Sequence, residues 1–458
     1  MMMTLSQAVK ATDAELVGDD IQFASVSTDT RNIKQGDLFV ALSGEHFDAH
    51  DFVDQAIAQG ATALMVSKPV QSHVPVLQVK DTRKGLGDLA HAWRKMVNPK
   101  VVALTGSNGK TTLKEMLAHI FACEYSVLAT TGNLNNDIGV PLTLLRLQDE
   151  QIAVIEMGAN HLGEIDYLTN IVKPDVAILN NAGLAHIGEF GSAENIARGK
   201  AEIINGLSAD GVFVFHGDSQ WVEIWQSLAK DNRVVSFGLK ENDYRLLKES
   251  IHLQKTQTGF VSQFDVYERS SGESFTFQLQ LAGIHNAMNA CAAIAAARQF
   301  NLPMSVIKTG LAQMLPVKGR LFSLRGSKGQ YLIDDTYNAN PDSVKAAMDV
   351  LAELDGRRFM IMGDLAELGD DVKDMHAELG RYAAEKGLDG FYAVGQYSAA
   401  AVEGFVGQTA KHFDDQQALI DFLQNHTNAD DSLLIKGSRS AKMENVVNAL
   451  AGQEKQIC

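Results

Sequence analysis

Apolar positions along this chain follow two rhythms that take turns. Short unbroken runs such as DLFVAL, ATALMVS and VPVLQV read as buried strands. Between them, DFVDQAIAQG and GLGDLAHAWRKMV return apolar residues at helical spacing. The same alternation resumes with VVALTG, IAVIEMG, DVAILNN and GVFVFHG, and again with QYLIDDTY, RRFMIMGD, DGFYAVG and SLLIKGS. Strands alternating with helices predict parallel sheets built from strand–helix–strand units. Residues 234–282 differ: the polar–apolar alternation around SFTFQLQLAG predicts antiparallel hairpins, followed by an Ala-rich buried helix from His285 to Phe300.

A chain of 458 residues is too long for one core. The pattern predicts an α/β protein of three domains: a small N-terminal α/β domain over residues 1–98, a central domain with a mainly parallel sheet over 99–316, and a C-terminal Rossmann-like α/β domain over 317–458. Pro316 and Gly319 mark the second boundary.

Charge narrows the partners. Forty Lys and Arg against 56 Asp and Glu leave a formal charge of −16, which speaks against nucleic acid, since phosphate backbones are held by clustered cations. Three dispersed cysteines, Cys123, Cys291 and Cys458, suit a reducing compartment better than a disulfide framework. The N-terminal MMMTLSQAVKATDAELVGDD lacks the apolar core of a secretion signal, and no run reaches the ~18 apolar residues that span a bilayer. A cytoplasmic protein without membrane insertion is expected.

The densest chemistry lies in TGSNGKTT, Thr105 to Thr112, between a strand and a helical pattern. Gly106 and Gly109 permit a tight turn whose backbone N–H groups, with those of Ser107 and Asn108, face inward, and the following helix adds its positive end. Lys110 is placed to reach the β- and γ-phosphates of a nucleotide, and the Thr111 hydroxyl to bind Mg²⁺. Leu104 stands where the generic phosphate-loop pattern has its first glycine, so the motif is a shortened variant. Glu156, ending the strand IAVIE, is the expected acidic metal ligand, and His186 follows the strand DVAILNN.

TGSNGKTT, EMGANHLGEI, NNAGLAHIGEFGS, GKAE, GIHNAMNA and DDTYNANP occur in one order over the whole chain. Together they resemble the Mur ligases, ATP-dependent amide-forming enzymes of peptidoglycan precursor synthesis. The resemblance implies that a substrate carboxylate is activated by the ATP γ-phosphate as an acyl phosphate, which an amine then attacks. It implies two Mg²⁺ ions held by Thr111, Glu156, His186 and a carbamylated Lys200, with Glu202 supporting that lysine. Asn286 and Asn289 would meet adenine, Arg320 the γ-phosphate, and Asp335 and Asn338 the ribose or phosphates, with Tyr337 and Asn340 shaping their loop and Pro341 opening a helix.

Outside the ATPase core the resemblance assigns substrates. Ser27, Thr28, Asp29 and Arg31, then Gly44, Phe47, Asp48 and His50, look like the loops that bind the UDP moiety; Thr30 replaces the commoner serine. Asn133, Asn135 and Asn136 in TGNLNNDIGVP resemble the loop facing the muramoyl peptide. YNANP followed by MGDLAELG, without a D-N-P-R motif, resembles the branch of the family that adds D-Ala-D-Ala to UDP-N-acetylmuramoyl-tripeptide. Lys436 and Arg439, in LLIKGSRS, are candidates to hold the dipeptide carboxylate or a phosphate, or they simply follow a strand; His376 reads as a surface helix residue, and the protein is expected to act as a monomer. Two other readings compete. Folylpolyglutamate synthase shares the core chemistry but has no use for the ~100 residues ahead of the phosphate loop. A nucleotide-driven switch leaves Lys200, Asn289 and Arg320 without roles.

Overall fold

The computed structural model describes residues 1–44, 47–183, 187–256, 259–406 and 409–451. Three large sheets follow one another along the chain. In the first, the strands Ser25–Ser27, Asp37–Val40, Ala61–Val66 and Val76–Gln78 run parallel, and Glu15–Val17 closes the edge antiparallel to the last of them. Asp37–Val40 is buried along its whole length, as expected of a strand covered on both faces. Ahead of this sheet lies a helix, Leu5–Thr12, that the periodicity did not predict. Thr4 and Gln7 cap it reciprocally, so the signal was the TLSQ spelling of a capping box.

The central sheet has nine strands, ordered Glu273–Leu279, Phe260–Glu268, Tyr244–Lys255, Arg233–Gly238, Val212–His216, Val176–Leu179, Lys100–Thr105, Ile152–Glu156, Val127–Ala129. The predicted antiparallel hairpins are the first three of these. Arg233–Gly238, expected among them, instead pairs parallel with Val212–His216. Register is what builds the site. Glu156 lies opposite Leu104 and Leu179 opposite Thr105, so three neighbouring strands end at one level with the phosphate loop between Glu156 and Asn180. Ligands of open α/β sheets bind at such carboxyl ends.

The third sheet is ordered Phe322–Arg325, Tyr331–Asp335, Asp431–Lys436, Arg357–Gly363, Gly390–Val394, Thr409–Phe413, parallel except for its first pair. One apolar cluster runs without a break from Leu38 and Leu86 to Ala103, Ile155 and Phe215, fusing the first sheet's packing to one face of the central sheet. The other face buries the Ala-rich helix Ile284–Arg298, whose small side chains let it sit close to the strands. Among the described residues no helix is long and apolar enough to cross a membrane.

Candidate active site

The phosphate loop ends at Gly109, which has a φ of +78° and begins the helix Lys110–Ala122 without any side-chain cap. The N–H groups of that first turn are therefore free to meet an anion. A Cβ on Gly109 would fall 2.5 Å from Asn289 Oδ1 and 2.9 Å from Asn180 Nδ2, so both the backbone conformation and the space demand glycine. The loop is clamped from outside: the Asn108 N–H donates to Asn181 Oδ1 at 2.8 Å, and the amides of Asn180 and Asn181 donate to the Asn108 carbonyl. Ser107 Oγ bonds Gly183, and Thr105 Oγ1 donates to the Met157 carbonyl at 2.8 Å.

Lys110 folds back over the loop and donates to the Gly106 carbonyl at 2.8 Å. Burial lowers its pKa and the charge of Arg320 adds to this, while nearby Glu156 opposes both. Glu156 is 2% exposed. Its Oε1 accepts from Asn135 Nδ2 at 2.8 Å, and its Oε2 is buried with no partner. A buried carboxylate oxygen without a donor is costly unless a cation serves it, so Glu156 with the Thr111 hydroxyl fits Mg²⁺, which takes one or two carboxylates and fills its shell from phosphate and water.

Lys200 sits in the last turn of the helix Ala193–Ala201, 1% exposed, its Nζ 5.6 Å from the centre of the Phe190 ring. Burial, with Lys110 as a nearby like charge, pulls its pKa down to about 7. An amine so placed is partly neutral near neutral pH and can attack CO₂; as an ammonium it could not ligate a metal. Glu202 does not support it. Its carboxylate instead accepts the N–H groups of Gly163 and Asp166, capping the helix Glu164–Val172. His186 lies outside the described residues. Among the described residues no three His, Cys, Asp or Glu side chains cluster as a metal site.

Arg320 reaches this place from the junction of the central and C-terminal segments. Its guanidinium stacks 4.3 Å from the Tyr337 ring centre, and its buried Nε has no partner. From the same side, Asn340 caps the helix Pro341–Ala352 and donates its amide to Asn108 Oδ1 at 2.7 Å, tying the third sheet's loops to the phosphate loop. Pro341 opens that helix as its spelling predicted. These groups line a cleft of about 890 Å³ together with Asn133, Asn338 and, from the N-terminal segment, Arg83 and Lys84.

A second cavity, of about 500 Å³, opens behind Gly109 and is lined by Asn286, Asn289, His285, Asp335 and Lys436. Asn289 Oδ1 accepts from Asn180, and Asn286 Nδ2 donates to the Ala282 carbonyl. Lys436 is buried and lies 2.5 Å from Asp335 Oδ2, with its pKa lowered by burial. The lysine expected at the dipeptide carboxylate or at a phosphate thus pairs with Asp335, in the cavity that Asn286 and Asn289 line. Arg439 lies elsewhere, in a third cavity of about 520 Å³ that shares Asn338 and Asn340 with the main cleft. It pairs with Glu444 at 2.9 Å and is largely exposed.

The N-terminal candidates gather at the carboxyl ends of parallel strands. Ser27 Oγ donates to the Asp29 carbonyl, and Asp29 grips Arg31, which holds its carboxyl down at about 2. Thr28 lies between them in the chain. Asp48 joins Ser43, His50 and Lys68, the Gly44 N–H donates to the Phe47 carbonyl, and Phe47 stacks on Phe52 at 5.3 Å. Of the loop asparagines, Asn133 faces the cleft, Asn135 orients Glu156, and Asn136 accepts the Gly139 N–H at the start of the helix Gly139–Leu144. His376 corrects the surface reading: it is fully buried, and its Nε2 accepts the Leu365 N–H.

Asn180 and Asn181 escaped the residue-level reading, although ILNN at a strand end was their signal. Arg83 and Lys84 escaped it too; Asp81, a capping residue ahead of them, marks the helix end that enters the cleft.

Three family models match the chain: "Mur ligase family, catalytic domain" over residues 22–94, "Mur ligase middle domain" over 104–297, and "Mur ligase, glutamate ligase domain" over 319–439. The UDP-N-acetylmuramoyl-tripeptide–D-alanyl-D-alanine ligase of Escherichia coli is 44% identical over 461 residues, covering 100% of this chain and 99% of that protein. A crystal structure of MurF from Acinetobacter baumannii superposes with a TM-score of 0.90 at 40% identity, covering 98% of this chain and 99% of the other. The Thermotoga maritima MurF ligase in complex with ADP superposes with a TM-score of 0.83 at 30% identity, covering 93% and 96%.

Proposed function

This chain belongs to the Mur ligase family, and from that premise we propose that it joins D-alanyl-D-alanine to UDP-N-acetylmuramoyl-tripeptide at the expense of ATP, giving the pentapeptide, ADP and phosphate. One observation carries the assignment to a place: a single cleft receives the phosphate loop, the half-satisfied Glu156 and Arg320. The working units are residues 1–98 for the UDP moiety, 99–316 for ATP and 317–458 for the dipeptide.

A carboxylate repels nucleophiles and has no leaving group. Transfer of the γ-phosphoryl group to the tripeptide carboxylate gives an acyl phosphate; the dipeptide amine attacks it, and the tetrahedral intermediate expels phosphate. Catalysis of this kind is mainly positioning and neutralisation of phosphate charge. The N–H groups from Gly109 to Thr112, at the loop's end and the uncapped first turn, hold the phosphate chain, Lys110 swings from the Gly106 carbonyl to the β- and γ-phosphates, and Arg320 meets the γ-phosphate from the junction. Asn286, Asn289 and Asp335 enclose the nucleoside, and Asn338 faces the phosphates from the main cleft. Mg²⁺ held by Thr111 and Glu156 would neutralise phosphate charge. Lys200, neutral in part, would take up CO₂ as –NH–COO⁻ with loss of a proton, and that group would offer anionic oxygen to a second ion. Asn133 faces the muramoyl peptide, the Asp29 and Asp48 loops take the UDP, and Arg439 in the adjoining cavity takes the dipeptide carboxylate. The protein works in the cytoplasm as a monomer.

Phosphate release tests the assignment. It requires UDP-N-acetylmuramoyl-tripeptide and D-alanyl-D-alanine together; equal ATP hydrolysis with either omitted defeats it.

A further inference from the structure

The helix that follows the phosphate loop carries a second lysine one turn on, and the chemistry above does not use it. Lys114 is buried, yet its ammonium has two acceptors. It donates to the Thr130 carbonyl at 2.8 Å and to Glu115 Oε1 at 2.5 Å. Thr130 in turn accepts the Glu156 N–H on its Oγ1 at 3.0 Å, and its own N–H donates to the Val154 carbonyl at 3.0 Å. Beyond Thr130 the loop presents Asn133 to the cleft and swings Asn135 onto Glu156 Oε1, while the Gly158 N–H returns to the Asn135 carbonyl.

Lys114 therefore makes the one side-chain hydrogen bond, among the described residues, between the helix that bears Lys110 and Thr111 and the loop that orients Glu156 and bears Asn133. A buried ammonium is held only where its donors are taken, so the lysine fixes the loop's distance from the helix rather than merely filling space. We propose that Lys114 is a positioning residue that couples the nucleotide-phosphate half of the site to the acceptor half, so that each ligand binds better once the other is seated. The inference rests on the ligase reading above, which supplies the two ligands.

The test is a double titration, with ADP and Mg²⁺ as one ligand and UDP-N-acetylmuramoyl-tripeptide as the other, on wild type and Lys114→Met, beside steady-state kinetics. In wild type each ligand tightens the other. Lys114→Met binds ADP alone within about twofold of wild type, loses the mutual tightening, and shows an acceptor KM raised about tenfold. Lys114→Arg, which keeps a cation within reach of the carbonyl, restores much of the coupling. If Lys114→Met fails to fold, Thr130→Val breaks the next link and gives the same loss of coupling. Coupling equal to wild type in the folded variant overturns the proposal. Wild type that forms no amide product overturns the ligase reading instead.

Discussion

Asn135 donates its side-chain amide to one oxygen of Glu156 at 2.8 Å and leaves the other buried without a partner. The carboxylate is thus held in one orientation with one oxygen reserved. Outer contacts of this kind are typically worth about 10–100-fold in metal affinity or activity. Asn135→Ala should raise the Mg²⁺ concentration for half-maximal phosphate release by about tenfold, and Glu156→Gln should cost at least about 100-fold in turnover. A Mg²⁺ titration of both variants decides; unchanged curves remove Glu156 from the metal site.

Lys200 is buried with its pKa lowered to about 7, and its ammonium lies over the Phe190 ring. Lys200→Ala should unfold no earlier than wild type and bind ADP normally, yet lose about 10³-fold in turnover, the scale of a lost electrostatic stabiliser. Wild type stripped of CO₂ should slow and recover with bicarbonate, whereas the variant should respond to neither. The coupled assay with and without bicarbonate reads both effects, and wild-type turnover in Lys200→Ala rules out the carbamate.

Gly109 has no room for a methyl group. Gly109→Ala must push aside Asn289 and Asn180 and hold a left-handed φ of +78°. ADP affinity should fall by more than about tenfold, with a stability loss of about 1–3 kcal/mol. Calorimetric titration with ADP and a denaturant melt measure the two; tight ADP binding in the variant shows that the loop does not hold the phosphates.

His285 lines the nucleoside cavity with Asp335 and Lys436 around it, and its pKa is lowered to about 4, chiefly by burial. Asp335 and Asp349 oppose the shift, and Lys436 adds to it. Above pH ~6.5 the imidazole is neutral in both folded and unfolded chains and adds no pH dependence. As pH falls from there towards 4, the unfolded chain binds a proton that the folded one refuses, so stability drops by at most about 1.4 kcal/mol per unit. His285→Gln should flatten this limb of the curve. Urea melts between pH 7 and 4 measure it, and parallel curves for the two proteins show that His285 titrates normally.

The strands and helices were legible because burial on both faces leaves unbroken apolar runs, as in Asp37–Val40 and Ile152–Glu156. The phosphate loop was legible because a glycine with positive φ followed by Lys and Thr spells its geometry locally. What stayed hidden depends on register and on side-chain partners. Nothing in ILNN says that its strand lies beside Lys100–Thr105 and ends level with it, yet this is why Asn180 and Asn181 clamp the loop. Lys436 and Arg439 are three residues apart in sequence but turn to different cavities, because Lys436 ends a strand opposite Asp335. His376 sits in a charged, helical stretch that reads as surface, and only the fold reveals the strand-end loop packed over it.

Acyl-phosphate formation is most directly tested with acceptor tripeptide carrying oxygen-18 in its terminal carboxylate. With ATP and D-alanyl-D-alanine, mass spectrometry of the released phosphate should show one labelled oxygen per molecule of amide formed. Unlabelled phosphate accompanying normal amide formation refutes activation of that carboxylate by the γ-phosphoryl group.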